Sequence, residues 1–175
     1  MRAVATRLGV TPMSLYRHIP DKQRLLQEMV ETAAQEYEYD VLPDQWRPGL
    51  VALARQQRDL IARHPWLPSL SSRFHPLGPA TLNYVEHCLT LFARAGVPED
   101  SLLETVGLFN GLVSSLAMAS ATAAPAPDPA EQRRLTDLLA TGHYPRFAAL
   151  VVDPAPLDLD EHFDRLVERL LDGLA

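Results

Sequence analysis

Close to the N-terminus the chain gathers side chains suited to reading nucleic acid. Thr11, Pro12, Met13 and Ser14 open a short segment that closes with Tyr16, Arg17 and His18. At the N-terminal end of a helix laid in a major groove, side chains reach base edges and free backbone N–H groups face phosphate. Arg17 is long enough to span O6 and N7 of a guanine or to reach a phosphate oxygen. The elements that would position these groups follow from local chemistry. Val4, Ala5 and Leu8 lie at helical spacing, so residues 2–8 are expected to form a short amphipathic helix. Gly9 stops it, since glycine accepts the left-handed conformation found just past helix ends. Val10 can then tuck inward, and Thr11 is a good N-cap with Pro12 in the first helical position. A second helix over Pro12–His18 should bury Leu15 and Tyr16. Helix, tight turn, helix is the arrangement that lays its second helix in DNA. Residues 1–30 carry five Arg/Lys and two acids, a net of +3.

A second set of chemically capable residues is spread through the body: Trp66, Arg73, Phe74, His75, Asn83, His87, Phe109 and Asn110. Polar or aromatic groups in otherwise apolar surroundings are what a small-molecule pocket is made of. Each one singly also fits plain packing with a satisfied neighbour. His64, His75 and His87 stand 11 and 12 residues apart, which matches no metal-site pattern, so no metal is expected. The one cysteine, Cys88, permits neither an internal disulfide nor a cysteine zinc cluster, and its apolar helical setting indicates core packing. There is no Gly-rich phosphate loop, no Gly-x-Ser-x-Gly and no Cys/His nucleophile pair, so neither an enzyme nor a cofactor is expected.

The bulk properties are those of an ordinary globular protein. Hydrophobic residues at 47% and charged ones at 22% exclude a disordered chain. Net charge is −6, so with +3 on residues 1–30 the remaining residues carry −9, a basic tip on an acidic body. No signal-peptide pattern opens the sequence, and a cytoplasmic location is expected. Residues 105–127 hold no charge, but Asn110, Ser114, Ser115, Ser120 and Thr122 make a buried helix a better reading than a membrane span. The predicted elements are all helical. A long helix runs from Asp21 to about Tyr39, others over Trp46–His64, Ala80–Ala95 and Glu99–Thr122, and a helical turn interrupts 65–79. Pro125, Pro127 and Pro129 form a linker, helices follow over Ala130–Thr141 and Pro145–Val151, and a break spans 153–156. The last helix opens at Asp158, with Glu161 completing a capping box. The two apolar faces of 80–95 predict burial on most sides, and 99–122, apolar almost all round, must lie in the core or be covered by another subunit.

The run from Ala5 through Gly9 to Leu15-Tyr16-Arg17-His18, then Pro20-Asp21-Lys22 and Leu25-Leu26, resembles the DNA-binding domain of the TetR family of transcriptional regulators. Arg63-His64-Pro65-Trp66, Gly78-Pro79 and Leu91 with Ala95-Gly96 are similar to that family's C-terminal domain. The resemblance implies an all-α fold, with a helix-turn-helix domain over 1–40 and a ligand-binding and dimerisation domain over 41–175. It implies base or phosphate contact from Arg2 and phosphate contacts from Tyr16, His18 and Lys22. It implies a small-molecule inducer, of unknown identity, in the body. It implies a homodimer built from helices near 104–118 and 159–174, and a repressor released from a palindromic operator. In the family a further helix precedes the two read here. From a chain opening at Met1 we expect that helix to be absent, with a misplaced start favoured over a truncated gene. The alternative function is therefore a ligand-binding dimer that does not bind DNA.

Overall fold

The computed structural model describes residues 1–71, 78–121, 128–151 and 158–174. Arg73, Phe74 and His75, the linker prolines Pro125 and Pro127, and the expected break at 153–156 lie outside the described residues. Those described form helices with no strand among them.

The chain opens with α1 (Arg2–Arg7), α2 (Pro12–His18) and α3 (Lys22–Ala34). Gly9 takes a positive φ of 68° at the α1–α2 turn. Thr11 caps α2 as its chemistry requires, Oγ1 accepting the Ser14 N–H at 3.2 Å, and Asp21 caps α3 by accepting the Arg24 N–H at 2.7 Å. Ala5 and Leu15 are buried, but Tyr16 is not: it is 44% exposed, since Leu15 alone fills the inward position of this short helix. Leu8 and Val10 are exposed as well, so neither tucks inward.

α3 stops at Ala34, earlier than the apolar periodicity predicts. The next residues are held in a different way. The side-chain amide of Gln56 clamps the backbone of Glu38, accepting its N–H and donating to its carbonyl, both at 2.8 Å. Tyr37 packs its ring on Tyr84 at 4.5 Å, and Tyr39 stacks on His87 at 4.0 Å with 14° between planes. Alternate residues put both rings on one side of a non-helical segment, whereas a helix would separate them by about 200°.

The body is built around α4 (Trp46–Arg63), against which α6 (Pro79–Arg94), α7 (Leu102–Ala121) and α10 (Leu159–Leu174) all pack. α5 (Leu67–Ser71) supports α3, and a short 3-10 turn over Glu99–Ser101 precedes α7. The core joins Leu50, Leu53, Ala54 and Ile61 of α4 to Cys88 and Phe92 of α6, Val106, Phe109 and Val113 of α7, and Phe163, Val167 and Leu171 of α10. Phe92 meets Phe109 edge-on at 5.5 Å. Gly49 lets α4 approach α6, since a Cβ there would sit 2.9 Å from both a Leu91 methyl and the Pro43 carbonyl. In α6 Ala80, Tyr84, Cys88, Leu91 and Phe92 are buried and Val85 and Leu89 pack half-buried against the core, while Leu82 and Ala93 are exposed, so burial takes in much of both predicted faces but not all of them. α8 (Pro129–Ala140) and α9 (Pro145–Val151) pack on each other and bury no residue.

The charge-free helix also divides. Val106, Phe109, Val113 and Ala117 face the core, while Leu103 (70%), Leu108, Leu112 and Met118 are exposed. By length and composition residues 99–119 could cross a membrane, yet one face of this stretch is core packing against α4, α6 and α10.

α10 is stitched to α4 by ion pairs along its acidic edge. Arg47 meets Glu168 at 3.0 Å and Asp172 at 2.9 Å, Arg55 meets Asp164 at 2.7 Å, and Arg58 meets Asp160 at 2.8 Å. The Arg55 guanidinium, bidentate on Asp164, holds that carboxyl below the ordinary range despite some burial. A depressed folded-state value means the pair stabilises above the unfolded carboxyl pKa and is lost as pH falls through the folded one. Arg55→Ala should therefore cost roughly 0.5–1 kcal/mol at neutral pH in chemical denaturation. The gap from wild type should close as pH drops below about 4.

Candidate DNA interface and ligand-binding region

The candidate reading surface, built from the residues expected to contact DNA, is the outer face of α1, α2 and the start of α3. Arg2, Thr11, Pro12, Met13, Tyr16, Arg17, His18 and Lys22 are exposed, Met13 to 75%, and Ser14 is half-buried. Thr11 and Ser14 spend their nearest polar groups on the helix cap. Arg17 leans toward Ser14, its Nη2 3.5 Å from Oγ. Met13, Tyr16 and Arg17 thus project from α2. Among the described residues Arg2, Arg7 and Lys22 make no ion pair, whereas Arg47, Arg55, Arg58 and Arg63 of α4 are each tied to carboxylates. Apart from Arg24, which pairs with Glu28, cationic charge is left open on the tip and neutralised on the central helix.

Inside the body, three helices meet through a buried polar network. Gln57 of α4, nearly inaccessible, donates from Nε2 to Ser114 Oγ at 2.9 Å and to the Asn110 carbonyl at 3.3 Å. The Tyr84 hydroxyl of α6 donates to Asn110 Oδ1 at 2.5 Å and lies 3.2 Å from Gln57 Oε1. Burial pushes the Tyr84 hydroxyl well above its ordinary value, and pushes the Cys88 thiol, hydrogen-bonded to Tyr84, up to about 12. Cys88 therefore keeps its proton at neutral pH and packs as core. Beside the network Tyr39 presents a buried hydroxyl with no hydrogen-bond partner, pushed up to about 12 chiefly by burial.

Of the expected pocket residues, those described (Trp66, Asn83, His87, Phe109 and Asn110) do not gather into one cavity. Asn110 joins the network. Phe109 is fully buried against Phe92 and serves the core. His87 is half-buried between its stack on Tyr39 and a 2.7 Å contact from Nδ1 to the Asn83 carbonyl; Asn83 itself is exposed. Trp66 sits apart, beside His64, lining a 300 Å³ cavity with Leu25, Met29 and Ala33 of α3. His64 is engaged by Glu36 at 2.6 Å, and this bond, with Arg63, holds the Glu36 carboxyl low. Among the described residues no cluster of His, Cys, Asp and Glu could hold a metal.

Gln57, Ser114, Tyr84, Tyr37 and Tyr39 were not expected at the site. One signal was present: Gln57 is the lone amide on the apolar face of α4. The two phenols allow opposite tests by chemical denaturation. Tyr84→Phe should cost about 1–3 kcal/mol by stranding buried acceptors, whereas Tyr39→Phe, which deletes an unpaired hydroxyl, should be neutral or stabilising.

Residues 41–175 match the family model of the tetracyclin repressor-like C-terminal domain. The chain is 35% identical to the HTH-type transcriptional repressor DrrR1 of Streptomyces coeruleorubidus, over 99% of this chain and 68% of that protein. It is 25% identical to an HTH-type transcriptional regulator of Saccharopolyspora erythraea, over 100% of this chain and 75% of that one. Its fold is similar to that of apo ActR from Streptomyces coelicolor, with a TM-score of 0.80 at 24% identity, over 99% of this chain and 85% of that chain. ActR in complex with actinorhodin gives 0.79 at 23% identity, over the same shares. The chain belongs to the TetR family of transcriptional regulators.

Proposed function

We propose that this protein is a ligand-responsive repressor in which residues 1–40 read DNA and residues 41–175 bind a small molecule and dimerise. The observation that carries the reading is the charge division: among the described residues Arg2, Arg7 and Lys22 of α1 and α3 have no carboxylate partner, although Arg24 pairs with Glu28, whereas every arginine of α4 is paired with an acid. Arg17, Met13 and Tyr16 project from α2 toward base edges and phosphate. Thr11, Pro12 and Ser14 shape its start, and Arg2, His18 and Lys22 flank it for phosphate. A dimer carries two such helices about 34 Å apart, matching a palindromic operator. The exposed Leu103, Leu108, Leu112 and Met118 of α7, continued by the neighbouring α10, suit a second copy of this chain. A DNA partner puts the protein in the cytoplasm and gives it a regulatory rather than an enzymatic role.

The inducer would act near Tyr39, His87, Tyr84 and Asn110. The relative ActR binds actinorhodin. Here stacked rings and an unpaired buried hydroxyl support a flat ligand carrying polar groups. Trp66 and Asn83 would lie at the edges of such a region and Phe109 behind it. A second reading, a ligand-binding dimer without DNA affinity, is favoured by the exposed apolar groups Val4 of α1 and Leu8 just past its end, the latter 63% exposed.

Fluorescence anisotropy on the DNA flanking its own gene separates the two. A repressor should bind with affinity that falls steeply between 50 and 200 mM salt, as released counterions require. Arg17→Ala should cost about 1–3 kcal/mol and relax the sequence preference, and Lys22→Ala should weaken all sequences alike and flatten the salt slope by about one unit. A folded dimer with no salt-dependent binding to that DNA supports the second reading.

A further inference from the structure

We propose that Glu31 is a latch: a carboxylate of α3, the helix that carries the reading elements, caps the N-terminus of α6 and so ties the readers' position to the body. This rests on the regulator reading above. α6 begins at Gly78-Pro79 and has no side-chain cap of its own. The first N–H groups of a helix have no partner within it and must find one elsewhere. Here both available donors of the first turn go to Glu31: the Ala80 N–H to Oε1 and the Thr81 N–H to Oε2 at 3.2 Å. The Thr81 hydroxyl donates to the same oxygen at 2.8 Å. Burial raises the Glu31 carboxyl, but these three hydrogen bonds outweigh it and hold it below its ordinary value, so it stays ionised. The negative charge also sits at the positive end of the α6 dipole.

Gly78 is fitted to this contact. A Cβ on that residue would fall on the Glu31 carboxylate, so any other side chain drives the carboxylate out of the cap. The rest of the α3 seat is apolar, with Val30 and Ala33 against Leu60 and Leu67. Apolar contacts give area but little direction. The capping carboxylate adds directional bonds, so α3 cannot shift along α6 without breaking them. The proposed ligand region touches the same pair of elements. Tyr39 stacks on His87 of α6 and lies close enough to Glu31 for the carboxylate charge to raise its hydroxyl. A ligand that displaces Tyr39 or turns α6 thus acts on the latch and, through α3, on α1 and α2. In a repressor the ligand-free form with the latch closed is the DNA-competent one, and opening the latch lowers affinity.

Hydrogen–deuterium exchange on the full chain, with wild type, Glu31→Gln, Glu31→Ala and Gly78→Ala, tests this. Gly78→Ala expels the carboxylate while leaving every charge in place. A latch predicts faster exchange both in the first turn of α6 and throughout residues 22–34. It also predicts about tenfold weaker binding to the flanking DNA in the three variants. If exchange rises only at residues 79–82 and α3 keeps its protection, Glu31 is a local cap and the latch is overturned. If wild type does not bind the DNA, the regulator reading falls, and the exchange pattern of α3 still decides the latch.

Discussion

A buried amide sets the geometry of the body. Gln57 lies on the apolar face of α4, shielded from water, and its side chain has to find a donor and acceptors inside the protein. It finds them on two other helices, Ser114 and Asn110 of α7 and Tyr84 of α6. Hydrophobic contact alone would let three helices rotate and slide at modest cost. Satisfying one amide across both interfaces leaves a single rotation and a single height for each. The Phe92–Phe109 edge contact and the Gly49–Leu91 approach then fall into register around it.

From that centre outward the molecule separates by charge. α4 answers each of four arginines with carboxylates from α10, the following residue or the segment after α3. On the N-terminal helices Arg24 pairs with Glu28, while Arg2, Arg7 and Lys22 have no such partner among the described residues. An acidic body of this kind repels a polyanion, and a cationic tip attracts one. Between the two halves stand Tyr37 and Tyr39, whose rings rest on α6, and the Gln56 clamp on the Glu38 backbone. The connection between the N-terminal helices and the body is polar, aromatic and short.

What could be read from the sequence was what is decided locally. Gly9, the Thr11-Pro12 start and the Asp158 cap each depend on a residue's own backbone preference and on partners within three positions. All-helical structure followed for the same reason. The end of α3 did not, because apolar spacing continues to Tyr37 while the chain leaves the helix to seat two rings on residues 47 and 48 positions away. Tyr16 looked like core by type and is surface. Trp66 lines a cavity against α3 and Phe109 packs on Phe92, and both positions are set by tertiary contacts that residue type does not encode. Glu31 carried no signal at all, since a glutamate within a helix is ordinarily solvated and its target, the amides of residues 80 and 81, is tertiary.

The acids of α10 recur every four residues, at 160, 164, 168 and 172, facing arginines on the antiparallel α4. A ladder with that repeat cannot tell one helical turn from the next. Slide α10 by a turn and Arg58 would meet Asp164, and Arg55 would meet Glu168. The vernier is the row beside it: Phe163, Val167 and Leu171 share the spacing but differ in bulk, and the Arg58 guanidinium rests 4.9 Å above the Phe163 ring. A slip would put valine where phenylalanine belongs and open a void the charges could not fill. The ladder selects the orientation of the last helix, and the sizes of three side chains choose its notch.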